Sequence, residues 1–553
     1  MPVKLMPPTD EAYAYPLLIK QLLLSSQRYG VGREIVGGHN GTRYSYAEFY
    51  QRVQKLANVL TEAGVKAGDV VAVLDWDTPR YLECFFAIPM IGAVLHTVNV
   101  RLAPEQIVYT MNHAEDDLVL CHDDFLPLLA KVRDQLTTVK GVIQLSDSAP
   151  APASPTPTLG DYEQLMAGAL ADFDFPDFDE NAIATTFYTT GTTGNPKGVC
   201  FSHRQLVLHT MTLAATTSMN SEMQLIHSDT VYMPITPMFH VHAWGVPYLA
   251  TMLGIKQVYP GRYDPTALVK LYLTEKVTFS HCVPTILQMV IGSEKAASID
   301  FSGWQVLIGG SALTEGLAKG ALQRGIQVYT GYGMSETCPL LSTSWLPAGA
   351  SKLSIDEQVA IRVKAGKPVP MVNMRIIDNK GRFLPHDGEA MGEVVVRTPW
   401  LTQAYVGEAE KSAELWANGW LHTGDVGTID SSYTLQIRDR IKDVIKTGGE
   451  WVSSLDIENL ISQHDDIALV AVVGLPDAEW GERPHAMVVA KPGKQVDRDA
   501  IAKHLQQFIA AGVIEKWAIP DTVQVVDDVP RTSVGKIDKK VIRVELQKQQ
   551  QNA

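Results

Sequence analysis

The sequence predicts an α/β protein: a large lobe built from strands alternating with helices, then a smaller, mobile α+β lid unit over residues 439–553. Two observations carry this expectation. Short β-branched runs alternate with segments whose apolar residues recur at helical spacing. Beyond Arg438 the pattern tightens into short strands and helices of domain size.

In chain order, Ala47, Phe49, Val53, Leu56, Ala57, Val59 and Leu60 mark a helix over residues 47–64, and the run at 70–74 marks the buried strand after it. The alternation repeats with a helix at 81–91 before a strand at 93–99, and a helix at 102–114 before a strand at 118–121. Strands so separated pair in largely parallel sheets. Residues 147–160, rich in Pro, Ala and Ser, read as a surface loop. A strand at 183–188 then delivers the chain into a Gly/Thr-rich segment. In the small unit, helices are expected at 454–463 and 499–511, and strands at 468–474, 485–491 and 522–526.

The net charge of −14, with Lys and Arg dispersed, argues against nucleic acid as the main partner. The five cysteines, Cys84, Cys121, Cys200, Cys282 and Cys338, form no CxxC pair, so neither a zinc site nor a disulfide framework is expected and a reducing cytoplasm is the simplest location. The N-terminus lacks the order of a signal peptide. The uncharged stretch 84–100 falls short of the roughly 20 apolar residues that span a bilayer.

Residues 189–198 read Thr-Thr-Gly-Thr-Thr-Gly-Asn-Pro-Lys-Gly. After a strand, such a loop offers a polyphosphate hydroxyl donors, glycine-freed backbone amides and one ammonium. It is not a Walker loop, because Pro196 precedes Lys197 and Gly198 follows it.

The segment resembles the signature loop of the adenylate-forming superfamily, which includes acyl-CoA synthetases, luciferases and peptide-synthetase adenylation domains. Further motifs follow in the same order. Gly309-Gly310-Ser311-Ala312 resembles the adenine-contacting turn, and Gly331-Tyr332-Gly333-Met334-Ser335-Glu336-Thr337 the segment that stacks on adenine. Gly419-Trp420-Leu421-His422-Thr423-Gly424-Asp425 with Arg440 resembles the ribose site, and the loop 530–539 the one that carries a catalytic lysine.

The resemblance implies an acid–CoA ligase that consumes ATP, with Mg²⁺, and coenzyme A. Thr189, Thr190, Gly191, Thr192, Thr193, Gly194 and Lys197 would hold the β- and γ-phosphates. Gly309, Gly310, Ser311 and Tyr332 would hold adenine, and Ser335 would approach the α-phosphate. Glu336 and Thr190 would hold Mg²⁺, and Asp425 and Arg440 the ribose. Lys536 would be the catalytic lysine, working with Glu336, Thr190 and His240. Lys442 would be the hinge between the two half-reactions. Gly448 and Gly449 would line the pantetheine tunnel, with Glu450 beside the thioester chemistry.

Residues 237–245, Pro-Met-Phe-His-Val-His-Ala-Trp-Gly, resemble the acyl-pocket segment, with His240 near the carboxylate and Trp244 along the tail; Gly333 and Met334 are expected beside them. Overall the chain is similar to bacterial medium-chain fatty-acid and methylthiopropionate CoA ligases, which points to a short- or medium-chain acid. A homodimer is compatible with this reading. The alternatives are transfer of the acyl group to a separate carrier protein, a luciferase-like oxygenase, and a non-catalytic binding protein on the same scaffold. The absence of a carrier segment after Lys536 favours free CoA; the intact Lys197, Glu336, Asp425, Arg440 and Lys536 favour catalysis.

Overall fold

The computed structural model describes residues 3–189, 195–448 and 450–552. The helix Tyr46–Glu62 begins where Ser45 accepts from the Glu48 N–H and the Glu48 carboxylate accepts from the Ser45 N–H, a reciprocal cap worth about 1 kcal/mol. Its Phe49, Val53, Leu56 and Leu60 are fully buried, and it packs on the helix Pro79–Met90. That second helix is buried along its whole length. Its Glu83 is tolerated inside because Arg52 and the hydroxyls of Tyr44 and Tyr162 all donate to it.

The alternation read from the sequence produces two large sheets. In a seven-stranded sheet, Gly141–Leu145, Asp116–His122, Val70–Leu74, Val94–Thr97 and Ile183–Thr189 run parallel, and Lys197–Ser202 closes one edge antiparallel to Ile183–Thr189. In a nine-stranded sheet, Glu34–Gly37, Lys256–Tyr259, Val231–Tyr232, Phe279–Cys282, Gln305–Ile308 and Gln327–Gly333 are parallel. A third sheet departs from the parallel expectation. Asn373–Ile377, Met391–Arg397, Trp420–Ile429 and Leu435–Arg440 pair antiparallel throughout, with Trp416–Ala417 alongside. Connections as short as the one from Ile429 to Leu435 cannot make the crossover of a dozen or more residues that a parallel pair requires.

The smaller lobe has strands at Ile445–Thr447, Glu450–Val452, Ile467–Asp477, Gly481–Ala490 and Thr522–Val525. Helices Ser454–Ser462 and Arg498–Ala510 cover one face, where Val470 and Val472 meet Ile457, Ile461, Ile501 and Leu505. Lys539–Asn552 covers the other, where Ala471 and Val473 meet Ile542 and Leu546. The strand Ile467–Asp477 is apolar in near-continuous succession because both of its faces are covered. Among the described residues, no helix is long and apolar enough to cross a membrane.

The parallel sheets position the site. Their strands aim one set of C-terminal ends at a common crevice, the usual place for a ligand in such sheets. Gln305–Ile308 ends at Gly309, Gln327–Gly333 at Met334, and Ile183–Thr189 at the Gly/Thr-rich loop.

Candidate active site

Thr190, Gly191, Thr192, Thr193, Gly194 and Gly449 lie outside the described residues. Of the phosphate-loop residues, Thr189 and Lys197 face each other as the last register pair between Ile183–Thr189 and Lys197–Ser202. The Lys197 ammonium stands 4.5 Å from the centroid of the Tyr405 ring. The Tyr405 hydroxyl donates to Glu336 Oε1 at 2.7 Å. Tyr405, missed in the sequence reading, thus ties the phosphate-loop strand to the carboxylate. It sits in no motif, and its position depends on the register of Val199 against Tyr405 and the bond from Val406 N to Gly198 O at 3.0 Å.

Glu336 is 7% exposed. Among the described residues no hydrogen bond reaches its second oxygen, and no group of three or more His, Cys, Asp or Glu is arranged to hold a metal ion. One free carboxylate oxygen fits Mg²⁺ of the kind held by one or two carboxylates plus substrate phosphates, rather than by an all-protein cage.

Tyr332, Asp425 and Arg440 meet across three strands. The Tyr332 hydroxyl donates to Asp425 Oδ2 at 2.8 Å and Arg440 Nε to Asp425 Oδ1 at 3.1 Å. Asp425 and Arg440 are register partners in the antiparallel sheet, which is why a separation of 15 residues brings them together. Asp425 holds the guanidinium pKa above its ordinary value, and burial pushes the Tyr332 phenol well up.

The Lys536 side chain enters the same space. A Cβ on Gly310, where φ is +78°, would lie 2.8 Å from Lys536 Cε. A side chain here would be strained and would also displace the lysine. Lys536 lines one cavity with His240, Trp244, Gly309, Gly310, Tyr332, Gly333, Met334 and Ser335, which lie far apart along the chain. Burial, then the nearby Arg440, lower the Lys536 pKa to about 8, against support from Glu336 and Asp425. Burial, followed by Lys536, pushes His240 well below the ordinary imidazole range, so His240 is neutral at pH 7.

The cavity is about 30 Å³, room for roughly one water. Trp244 forms one wall: its indole lies where a Cβ on Gly309 would come within 3.0 Å, and 4.9 Å from the His281 ring. The backbone beneath it is unusual. Val241, His242, Ala243 and Trp244 have φ of +49°, +55°, +46° and +59°, a left-handed turn of non-glycine residues ending at Gly245. Each such residue costs about 1–2 kcal/mol, strain of the kind that concentrates at functional sites. No glycine precedes Gly245 in this segment, so the sequence carried no sign of the turn.

Gly333 is held by space rather than φ: a Cβ would come 1.8 Å from Pro339 O. Gly333→Ala is therefore expected to destabilise the protein by about 2 kcal/mol or more. It should also weaken ATP binding, read as a lower Tm by calorimetry and a higher Kd by titration.

Other expected site residues lie apart from this cavity. Ser311 is exposed and does not line it. Lys442 and Glu450 are exposed on the segment leading into the small lobe, and Gly448 packs beside Trp480, whose carbonyl accepts from its N–H at 2.8 Å.

Lys197 and Glu336 on either side of Tyr405, Asp425 and Arg440 beside Tyr332, and Lys536 brought in by the small lobe are an arrangement suited to a nucleotide-activating enzyme. Residues 25–406 match the AMP-binding enzyme family and residues 456–536 its C-terminal domain, and the chain belongs to this family.

Among characterised relatives, it is 40% identical to the long-chain-fatty-acid–CoA ligase of Thermus thermophilus, over 91% of this chain and 90% of that one. It is 37% identical to the 3-methylmercaptopropionyl-CoA ligase of Ruegeria lacuscaerulensis, over 96% and 97%. It is 36% identical to the medium-chain-fatty-acid–CoA ligase of Ectopseudomonas oleovorans, over 95% of each. Among solved structures, the fatty acyl CoA synthetase of Mycobacterium tuberculosis superposes with a TM-score of 0.69 at 26% identity, covering 96% of this chain and 98% of that one. The anthranilate CoA ligase AuaEII, solved with anthranoyl-AMP, gives 0.83 at 20% identity over 96% and 98%, a likeness of fold.

Proposed function

We propose that this enzyme joins a short- to medium-chain, apolar carboxylic acid to coenzyme A in two steps at the expense of ATP. The observation that carries the reading is that Lys536 enters the cavity lined by His240, Trp244 and Tyr332, with the charges of Glu336, Asp425 and Arg440 close enough to act on it. Similarity to ligases of fatty acids and of 3-methylmercaptopropionate supports the acid's class.

In the first step a carboxylate oxygen of the acid attacks the α-phosphorus of ATP, and the bond to pyrophosphate breaks. Asp425 accepts from the ribose hydroxyls, with Arg440 fixing its orientation. Tyr332 lies against adenine. Lys197, with the Gly/Thr-rich loop, holds the outer phosphates. Lys536 places its ammonium against the negative charge that develops between the carboxylate and the α-phosphate, a preorganised cation in a water-poor space. Glu336 would hold Mg²⁺, which when bound neutralises phosphate charge. Neutral His240 adds no second cation beside the acid.

In the second step the CoA sulfur, its thiol proton lost, attacks the acyl carbon, and the bond to AMP breaks. Lys536 has to withdraw for the thiol to enter. The chain leaves the large lobe's antiparallel sheet at Arg440 and enters the small lobe's sheet at Ile445, which supports a pivot at Lys442 between them. Residues 1–438 would then be the ATP- and acyl-binding unit and 439–553 the lid. Gly448 would border the path of the thiol arm, with Glu450 nearby in the chain.

A panel of carboxylic acids assayed with ATP, Mg²⁺ and CoA, following AMP and acyl-CoA together, tests the function. Equal AMP and thioester with a C4–C10 or methylthio acid is the expected result; ADP, or AMP without thioester, overturns it.

The Lys536 pKa predicts a pH profile. Below about pH 8 the free enzyme carries the ammonium and kcat/KM for acid-dependent ATP–pyrophosphate exchange is level; above it the charge is lost and the rate falls. Lys536→Arg, charged throughout, should abolish that alkaline limb.

A further inference from the structure

Lys536 reaches the cavity only because the small lobe sits in one orientation on the large one. What holds it there is a set of contacts outside the ATP site. The lysine's loop is a small hairpin: Thr532 N donates to Lys536 O at 2.7 Å, and Arg531 bridges Ile537. The large lobe grips it by groups that no substrate needs. Thr285 Oγ1 donates to Gly535 O at 2.5 Å, Arg101 Nη1 to Ser533 O at 3.2 Å, and Asn99 Nδ2 to Ser533 Oγ at 2.9 Å.

A second contact lies at the start of the large lobe's helix Glu315–Gln323, which packs against the small lobe's helix Ser454–Ser462. Glu315 N donates to Asn459 Oδ1 at 2.8 Å, while Asn459 Nδ2 and Gln463 Nε2 donate to the Glu315 carboxylate at 3.0 and 3.1 Å. Gly316 lets the two backbones meet: a Cβ there would fall 2.2 Å from Ser462 O. The helix itself does not require a glycine at that position, since glycine costs about 1 kcal/mol against alanine in a helix. The penalty is explained by the lobe contact.

We infer that Glu315–Gly316, with Asn99, Arg101 and Thr285, form a docking pad that selects the adenylate-forming orientation of the small lobe. They are positioning residues for Lys536 in the first half-reaction and are not used in the second. The inference rests on the role proposed above for Lys536. The small lobe has a core of its own on each face of its sheet, as a body that turns as a unit requires. When Lys536 withdraws, its loop leaves Asn99, Arg101 and Thr285, and the pad is vacated.

The test uses the full chain and separates the half-reactions: acid-dependent ATP–pyrophosphate exchange for the first, and thioester formation from supplied acyl-adenylate and CoA for the second. Gly316→Ala, which holds the lobes apart, is expected to slow exchange by on the order of 100-fold, the effect of a misplacement of about 1 Å. Thioester formation should stay within about twofold of the unaltered enzyme. Arg101→Ala, at the other contact, should shift the balance in the same direction. Gly320→Ala is the control: it lies on the same helix, its Cβ would meet nothing within 4 Å, and both half-reactions should be unchanged.

Exchange retained in Gly316→Ala, or both half-reactions falling together at an unchanged Tm, overturns the inference. Lys536→Ala measured alongside separates the two readings. Exchange lost there but kept in Gly316→Ala overturns the pad alone; exchange kept in both overturns the pad and the role of Lys536 together.

Discussion

Lys536→Ala is expected to slow acid-dependent ATP–pyrophosphate exchange by about 100- to 1000-fold, the range for removing one preorganised group from developing charge. Thioester formation from supplied acyl-adenylate should remain within a few-fold, because Lys536 withdraws before that step. The physical basis is its location. The side chain lines the cavity with Gly310, His240 and Tyr332, and burial, followed by the nearby Arg440, lowers its pKa to about 8. A cation kept at that cost beside Glu336 and Asp425 is placed for an anion. Rapid-quench measurement of each half-reaction checks the split; a variant that forms acyl-adenylate at the unaltered rate removes Lys536 from the mechanism.

Asp425→Ala should weaken ATP by about 10- to 100-fold, as expected for the loss of a charge-assisted hydrogen bond worth roughly 1.5–3 kcal/mol. Tyr332 and Arg440 both donate to this carboxylate, so its removal leaves a part-buried hydroxyl and a half-exposed guanidinium without that partner. The half-exposed Arg440 keeps the effect toward the lower end. A second consequence has a defined sign. Asp425 supports the charged form of Lys536 and Arg440 opposes it. Without Asp425 the Lys536 pKa falls, and the alkaline limb of the exchange profile should move to lower pH. Asp425→Asn, similar in shape but uncharged, should move the limb likewise. An unmoved limb with weakened ATP binding would mean that Asp425 acts on the ribose alone.

Much of the scaffold could be read from the chain. The helix at Tyr46–Glu62, the strand at Val70–Leu74 and the succession of elements in the small lobe follow from periodicity, because each buries a stripe or a face whose spacing is written locally. The antiparallel sheet from Asn373 to Arg440 was not legible in that way. Its strands are apolar runs like the others, and pairing direction depends on which strands meet rather than on composition. The site divides similarly. Glycine, threonine and lysine clusters announce themselves as motifs. Tyr405 and Thr285 do not, since Tyr405 meets Glu336 across 69 residues of sequence and Thr285 meets Gly535 across 250.

By itself, then, the sequence determined the α/β class, the order of the nucleotide-handling motifs and membership in a family whose motifs it carries, because those depend on residues adjacent in the chain. The tertiary structure decided how Glu336 is fixed, why Asp425 and Arg440 share a strand register, how Trp244 sits on a left-handed turn and lines the cavity, and where the small lobe docks. Those depend on contacts between residues far apart in sequence, whose energy is set by the space and charge around them and is absent until the lobes have packed.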